Sequence, residues 1–266
     1  MDENQSRFHS IISSDWSECL SPSGPFDFIA FNFPQLTPEL NEVFRSYTSN
    51  LISLGDACLK IKKLLPGPVT PDMMDAYLDR SYSVYRGVSE LIEWCLKKSI
   101  LFMLNTTGMI GYFQRVFAKG LLPQIPVLSA NPMFRYPASA TDPPTILDLL
   151  EIKDKGKNTA AIVAGMDIPA KRVIVMGDSG GDGPHFEWAH QAGAFTIGSM
   201  TKHSLSSFCL GQHIPIRLRF GVSYEKGARR DEKKERGVDF RDLIGPIEEV
   251  LQTSEGLSYF QGGLAE

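Results

Sequence analysis

Apolar runs alternate with amphipathic segments along most of the chain, and this alternation predicts strands followed by helices. The runs predicted to be strands are 8–14, 100–104, 126–129, 173–176 and 194–197, with 216–222 as an edge strand. The segments predicted to be helices between or after them are 88–98, 112–119, 159–166 with Asn158 as cap, 186–192 and 239–251. This order is typical of an α/β fold, in which right-handed crossovers join parallel strands.

The region after the first strand departs from this alternation because most of it is predicted to be helical. Thr37-Pro38-Glu39 and Thr70-Pro71-Asp72 each place a capping residue before a proline and an acid, which is a common way for helices to begin. Residues 53–65 carry apolar side chains at helical spacing, whereas the apolar run 26–33 predicts a second strand or a hairpin arm. The sequence therefore predicts a helical insertion, residues 21–84, in an α/β core.

Composition narrows the function classes without changing this fold prediction. The 266 residues are 42% hydrophobic and 22% charged, with a net charge of −4, so no basic surplus indicates nucleic-acid binding. No apolar run is long enough to span a bilayer, so we expect no membrane association. The cysteines Cys19, Cys58, Cys95 and Cys209 are scattered without Cys-x-x-Cys spacing, which is typical of reduced thiols in a cytoplasmic protein.

Polar residues follow the predicted strands at the points where these strands end. Asp178 and Asp182 share a glycine-rich loop after the strand 173–176, while Asp15, Thr106 and Asn131 follow other strands. The carboxyl ends of parallel strands meet at one edge of a sheet, where α/β proteins bind ligands. Two acids on one loop suit Mg²⁺. A carboxylate nucleophile, a hydroxyl, these acids and a lysine would together suit phosphoryl transfer.

Taken in order, these motifs resemble those of the haloacid dehalogenase-like (HAD) hydrolase superfamily, and most closely its phosphoserine-phosphatase-like branch. Gly177-Asp-Ser-Gly-Gly-Asp182 is similar to the fourth motif of the family, and Asn105-Thr-Thr-Gly108 is similar to the second. The third motif is a lysine near a helix start, which is Lys155 or Lys157. The resemblance implies a Rossmann-like parallel sheet core, residues 1–20 and 85–266, with the insertion 21–84 as a helical cap.

The resemblance also implies a function and a set of site residues. The expected activity is hydrolysis of a small phosphorylated metabolite through an aspartyl-phosphate intermediate with Mg²⁺, and the oligomeric state is left open. Asp15 is the implied nucleophile. The implied metal ligands are Asp15, Asp178, Asp182 and the Ser17 carbonyl, and the implied phosphate ligands are a lysine and Thr106, in preference to Thr107. The residues implied to lie near the substrate are Ser17, Thr107, Gly108 and Asn131.

The first motif, Asp-x-Asp-x-Thr in the family, is the one from which this chain departs. A register through Asn32 and Pro34 has no acid, whereas Asp15 keeps the nucleophile and puts Ser17 in place of the second Asp and Cys19 in place of the threonine. We therefore choose Asp15. The second Asp is the family's general acid and base, work that a serine hydroxyl does poorly and that contributes roughly 10²–10⁴-fold to rate.

The serine leaves two alternatives beside the phosphatase. Phosphonoacetaldehyde hydrolases begin this motif with Asp-Trp-Ala, which is similar to Asp15-Trp16-Ser17, so a phosphonate C–P hydrolase is one. A catalytically weak phosphate-binding protein is the other. Glu18 is expected to point away from the site. Trp16 is expected either to pack beneath the insertion or to touch substrate, Asn131 is also compatible with a plain Asx turn, and the charged run 225–237 predicts a solvated surface.

Overall fold

A sheet of parallel strands forms the centre of the protein. The computed structural model describes residues 8–48 and 51–261, with the backbone alone at 48 and 254–261. Within these ranges the sheet has seven strands in the order β4-β3-β2-β1-β5-β6-β7, and every pair is parallel. The strands are β1 Ser10–Ser14, β2 Ile100–Met109, β3 Val127–Asn131, β4 Thr145–Asp148, β5 Val173–Gly177, β6 Phe195–Ser199 and β7 Leu218–Phe220.

The central strands β1, β3 and β5 are buried along their whole length because helices cover both faces of the sheet. Successive side chains of a strand point to opposite faces, so neighbours along β1 enter different cores. Ile12 joins the apolar cluster that also holds Phe102 and Ile174, whereas Ile11 joins the cluster that holds Leu101 and Val175. The α/β fold with a parallel sheet is thus confirmed.

The helices of the described ranges follow the predicted order closely. They are α1 Asp27–Asn32, α2 Thr37–Thr48, α3 Leu54–Leu64, α4 Pro71–Ser81, α5 Val88–Lys97, α6 Ile110–Ala118, α7 Asp154–Gly165, α8 Gly183–Ala192, α9 His203–Gly211, α10 Glu232–Glu235 and α11 Ile244–Gln261. Thr70 caps α4 through its side chain, as the sequence pattern indicates, and Ser53 caps α3 in the same way. Across these ranges, none of the helices is both long and apolar enough to pass through a bilayer.

Two local predictions are wrong, and two elements were missed. The run 26–33 forms the helix α1, with Phe28 and Ile29 buried, because a short apolar run without polar alternation does not distinguish strand from helix. Helix α7 begins at Asp154, four residues before the expected cap Asn158, because its first turn is too polar to show helical periodicity. Strand β4 and helix α9 were not anticipated, and β4 is only partly buried, so it lacks the apolar run of a central strand.

Two linkers lying side by side join the insertion, which contains α1 to α4, to the core. The backbone N–H of Tyr85 donates to the carbonyl of Leu20 at 3.0 Å, and the Ser21 hydroxyl donates to the carbonyl of Ser83 at 2.7 Å. These hydrogen bonds hold the outgoing and returning chains together. The chain therefore passes between core and insertion at one narrow place beside the end of β1, and the insertion also contacts the core elsewhere, as in the ion pair between Asp75 and Arg115 at 2.7 Å.

Candidate active site

Three buried carboxylates meet where β1 and β5 end. These strands are parallel neighbours, and the backbone N–H of Asp15 donates to the carbonyl of Met176 at 3.0 Å. Asp15, Asp178 and Asp182 are 5%, 1% and 0% exposed, and one oxygen of each lies within 4.8 Å of the other two. The structure therefore brings together the acids that the sequence singled out, and Asn32 is not among them: its amide donates to the Phe28 carbonyl in α1.

A glycine lets the loop after β5 fold back on itself. A Cβ at Gly177 would lie 2.5 Å from Cγ of Asp182, which no other residue could accommodate without movement of the loop. The Asp182 Oδ2 accepts hydrogen bonds from the backbone N–H groups of Asp178 at 2.9 Å and Ser179 at 3.2 Å. The sequence Gly-Asp-Ser-Gly-Gly-Asp thus fixes two carboxylates within one short loop.

Lys155 is the lysine that the structure places in the site. It lies in the first turn of α7 and is 2% exposed, with its Nζ 2.5 Å from Asp182 Oδ1 and 3.1 Å from Asp15 Oδ1. The side chain of Lys157 is 65% exposed and pairs with Asp154. Burial alone would lower the pKa of Lys155, but Asp15 and Asp182 raise this pKa above its usual value, so the ammonium stays charged.

The acids hold more negative charge than their neighbours neutralise. Burial raises the pKa of Asp178 to about 8, with Asp182 and Asp15 adding to the rise against Lys202, and burial also raises the pKa of Asp15 against Lys155. For Asp182, burial acts in the same direction, yet Lys155 and two backbone N–H groups bring its pKa below the usual value. Among the described residues, Asp15 Oδ1 and Asp178 Oδ2 contact the ammonium groups of Lys155 at 3.1 Å and Lys202 at 2.7 Å, so three buried carboxylates share two ammonium groups. Such oxygens suit a hard divalent cation.

Thr107, and not the preferred Thr106, lines the cavity above these acids. The cavity has a volume of about 330 Å³ and includes Asp15, Ser17, Thr107, Lys155 and Asp178 among its lining residues. Thr106 is fully buried, and its Oγ1 accepts a hydrogen bond from the N–H of Gly108. The register of β2 against β3 shifts between Asn105 and Met109, and such an irregularity changes which side chain faces the site.

Gly108 and Asn131 do not line the cavity. The Asn131 amide donates to the carbonyl of Leu149, and its Oδ1 accepts from the backbone N–H of Met133 at 2.9 Å. This is the Asx-turn alternative, in which the side chain shapes a loop rather than binding a ligand. These hydrogen bonds favour the Asx-turn alternative, and the placement of Asn131 near substrate stays a prediction.

The residues after Asp15 have separate environments. Ser17 lines the cavity, as expected. Trp16 is 2% exposed and packs edge-on against Phe113 at 5.6 Å between ring centroids, so it is a packing residue. Glu18 has a positive φ of 58°, a conformation uncommon for residues other than glycine, and its side chain lines the cavity instead of pointing away.

Lys202 is a site residue that the sequence interpretation missed. It follows β6, and its Nζ lies 2.7 Å from Asp178 Oδ2 and also forms an ion pair with Glu18. Burial alone would lower the pKa of Lys202, but Asp178 and Glu18 raise it above the usual value. The rule that found the other residues, a polar side chain at a strand end, would have found this lysine.

The charged run 225–237 is not a solvated surface throughout. Arg230 donates through its guanidinium to Glu235 at 2.7 Å, to Glu18 at 3.0 Å and to the hydroxyl of Tyr85 at 2.8 Å. Tyr85 donates in turn to Glu235, whose side chain is 1% exposed. This set of residues, Glu18, Tyr85, Arg230 and Glu235, is called the clamp below. It connects the run to both linkers of the insertion.

The wall opposite the acids is largely apolar. The insertion contributes Pro25, Phe44 and Tyr47 to this wall, and the core contributes Ile152 and Phe208. Burial raises the pKa of Tyr47 to about 12, while the nearby Thr107 lowers it, so the phenol stays protonated. The cavity thus has a charged floor and an aromatic wall.

No family model matches the sequence, and no curated protein sequence matches it either. Solved structures do match. A substrate-bound phosphoserine phosphatase has a TM-score of 0.61 at 14% identity, over 89% of this chain and 97% of that chain. A phospho-aspartyl intermediate analogue of phosphoserine phosphatase gives 0.60 at 13%, over 90% and 98%. A HAD family hydrolase from Salmonella enterica serovar Typhi gives 0.55 at 16%, over 71% and 62%. The expected HAD fold, in its phosphoserine-phosphatase-like form, is thereby confirmed.

Proposed function

We propose that the protein is a Mg²⁺-dependent hydrolase of small phosphate monoesters in which Asp15 is the nucleophile. The convergence of Asp15, Asp178 and Asp182 around the ammonium of Lys155, at the carboxyl edge of a parallel sheet, carries this proposal. Excess negative charge that faces a cavity suits a cation, and a buried carboxylate next to that cation suits attack on phosphorus. The similar fold of a phospho-aspartyl intermediate analogue supports the covalent route.

Each residue has a role that follows from its position. An oxygen of Asp15 attacks phosphorus, while Lys155 and the hydroxyl of Thr107 bind the equatorial phosphate oxygens. Asp178 and Asp182, with Asp15 and the backbone carbonyl of Ser17, would hold Mg²⁺. The cation would neutralise phosphate charge as the substrate binds. Lys202 lies between Asp178 and Glu18 and forms an ion pair with each of them.

The insertion 21–84 acts in this proposal as a cap on the core, 1–20 and 85–266. Its residues Phe44 and Tyr47 lie over the cavity, and its only covalent connections to the core are the two adjacent linkers. Movement about these linkers would admit substrate, and closure would exclude water from the phosphate. The cap would also choose the substrate, because it supplies part of the aromatic wall.

The buried cysteines agree with a reducing compartment, so we retain the cytoplasm as the proposed location. The four cysteines, Cys19, Cys58, Cys95 and Cys209, are all free and buried. Free thiols persist where glutathione and thioredoxin keep them reduced. This inference concerns the redox state of the compartment and is independent of the proposed reaction.

Ser17 favours a second candidate, a phosphate-binding protein with little turnover. Ser17 lines the cavity where the family's phosphatases have their acid and base, and serine ionises far from neutral pH. The phosphonate alternative rests on the similarity of Asp15-Trp16-Ser17 to Asp-Trp-Ala and stays open, since Trp16 packs against Phe113 whichever ester is cleaved. The experiment must therefore distinguish the phosphatase from both the binder and a phosphonate hydrolase.

Turnover of a panel of phosphate and phosphonate esters with Mg²⁺ tests the proposal. We expect phosphate release that EDTA abolishes, and a loss of at least about 10²-fold in Asp15→Asn, since the nucleophile is then absent. Thr106→Val, which alters a buried hydroxyl next to the cavity residue Thr107, is the matched control and keeps most of the activity. Ligand-dependent melting shifts without turnover of any ester would instead identify the protein as the binder.

A further inference from the structure

We infer that the substrate is an aryl phosphate, in which the phosphate is carried by the oxygen of an aromatic ring. This inference rests on the proposed hydrolase function and names the leaving group. Two independent features of the site support it: the composition of the wall that would surround the leaving group, and the serine at position 17, which cannot protonate the leaving oxygen.

The wall of the cavity suits an aromatic leaving group better than a charged one. In the described part of the insertion, the residues that line the cavity are Pro25, Phe44 and Tyr47, none of which is charged. Phe208 and Ile152 continue this surface on the core side. Aromatic rings prefer edge-on or offset contacts with other rings, whereas an ammonium or carboxylate placed against these five side chains would lose hydration without gaining an ion-pair partner from them.

The charged residues at the edge of the cavity are already paired. Glu18 contacts both Lys202 and Arg230, and Lys202 contacts Asp178 as well. A zwitterionic leaving group such as serine would have to displace one of these ion pairs. The solved phosphoserine phosphatases therefore provide the fold of this protein but not a model for the leaving-group side of its cavity.

Ser17 points to the same leaving group for a chemical reason. Without a general acid, the leaving oxygen departs as an anion, so the rate depends strongly on its basicity. A phenol ionises with a pKa of about 10, as tyrosine does. An alkyl alcohol lies close to water, at about 15.7. An aryl oxygen therefore leaves without the acid that this site lacks.

The reaction balances in two halves. In the first, an oxygen of Asp15 bonds to phosphorus while the bond between phosphorus and the aryl oxygen breaks; this oxygen keeps the electron pair and takes a proton from solvent. In the second, a water oxygen bonds to phosphorus and the bond to Asp15 breaks, which regenerates the carboxylate. One proton of the water stays on the phosphate and the other passes to solvent. Ser17 also fails to activate this water, so the second half is the slower one.

Rapid mixing with p-nitrophenyl phosphate and Mg²⁺ tests the reaction order. We expect a burst of about one equivalent of p-nitrophenol per protein, followed by slow turnover, because the phosphorylated enzyme accumulates. Ser17→Asp should accelerate the slow phase and remove the burst. Across ring-substituted phenyl phosphates, phosphoserine and glycerol phosphate, kcat/KM should fall steeply as the pKa of the leaving group rises. Ser17→Asp should raise kcat/KM for the two alkyl esters by about 10²-fold or more, which makes this dependence flatter.

Binding to a variant that does not turn over tests the wall separately. In Asp15→Asn, phenyl phosphate should raise the melting temperature more than phosphoserine does. Adding Phe44→Ala should weaken phenyl phosphate binding by about tenfold, the scale of one aromatic stacking contact. Leu59→Ala is the control, since Leu59 is an exposed apolar residue of the insertion outside the cavity. Tyr47→Phe keeps the ring and should preserve the preference.

The outcomes separate this inference from the proposed function. Turnover of phosphoserine or glycerol phosphate as fast as phenyl phosphate, with no effect of Phe44→Ala, overturns the aryl assignment and leaves the hydrolase intact. Failure of every ester to release phosphate or to phosphorylate Asp15 overturns both. A burst, a steep leaving-group dependence and selective loss in Phe44→Ala support the inference.

Discussion

The protein buries two groups of charges side by side, and they differ in how completely they are paired. In the acid cluster, Asp15, Asp178, Asp182 and Lys155, three buried carboxylates share two ammonium groups, that of Lys155 and that of the neighbouring Lys202. In the clamp, the guanidinium of Arg230 and the carboxylate of Glu235 satisfy each other and their neighbours. Buried charge is costly in both places, so the incomplete pairing of the acid cluster is what indicates a binding role.

The two clusters also face different parts of the molecule. The acid cluster opens onto the cavity, whereas the clamp holds the linkers of the insertion, since Arg230 also donates to the carbonyl of Pro22 at 2.8 Å. Lys202 joins them through its contacts with Asp178 and Glu18. We therefore expect changes in the first cluster to affect turnover most and changes in the second to affect stability most.

The largest expected effect is the loss of turnover in Lys155→Met. This change removes the ammonium between Asp15 and Asp182, which the proposed mechanism uses to bind phosphate. We expect kcat with p-nitrophenyl phosphate to fall by about 10²–10³-fold, the scale for loss of one electrostatic contact to a transition state. Lys157→Met is the matched control, because that lysine is exposed and pairs only locally with Asp154.

Circular dichroism and a thermal melt accompany these rate measurements, since unfolding of Lys155→Met would also remove activity. Lys155→Arg keeps the charge and should retain more activity than Lys155→Met. Equal rates in Lys155→Met and Lys157→Met would show that the acid cluster does not act on phosphate. The expectation that changes in the acid cluster affect turnover most would then be wrong.

The second expected effect is the loss of stability in Glu235→Gln. Removal of one member of a buried ion pair costs roughly 3–5 kcal/mol, and we take the low end, about 3 kcal/mol, because the Arg230 side chain is 21% exposed. Urea unfolding measures this change. In Glu232→Gln, the matched control, an exposed pair with Arg236 is lost, so we expect a change of about 0–1 kcal/mol. A similar small change in both variants would show that the clamp does not stabilise the fold.

The ease of prediction also separates the two clusters. Asp15 and Asp178 could be found from sequence because strand ends converge at one edge of a parallel sheet, a consequence of topology. The lysine came from the family resemblance, which left Lys155 and Lys157 as alternatives. The choice between Thr106 and Thr107 depended on a local irregularity in β2, which the sequence does not reveal. The clamp could not be found at all, since Glu18 and Arg230 are 212 residues apart and no strand end marks either of them.

The smallest expected effect is the dependence of the clamp's contribution to stability on pH below neutrality. Burial alone would raise the pKa of Glu235, but hydrogen bonds from Arg230, Tyr85 and Tyr224 bring this pKa below its ordinary value of 4.5. A carboxylate whose pKa is lower in the folded state stabilises the fold above its unfolded pKa, and this contribution is lost as pH falls through the folded pKa. The difference in unfolding free energy between wild type and Glu235→Gln should therefore be full near neutral pH and shrink below about pH 4.5. Urea titrations of both proteins across this range measure it. Because the acid cluster is unchanged in the variant, its own titration cancels in the difference, and a difference that stays constant with pH would mean that Glu235 is not held ionised by the clamp.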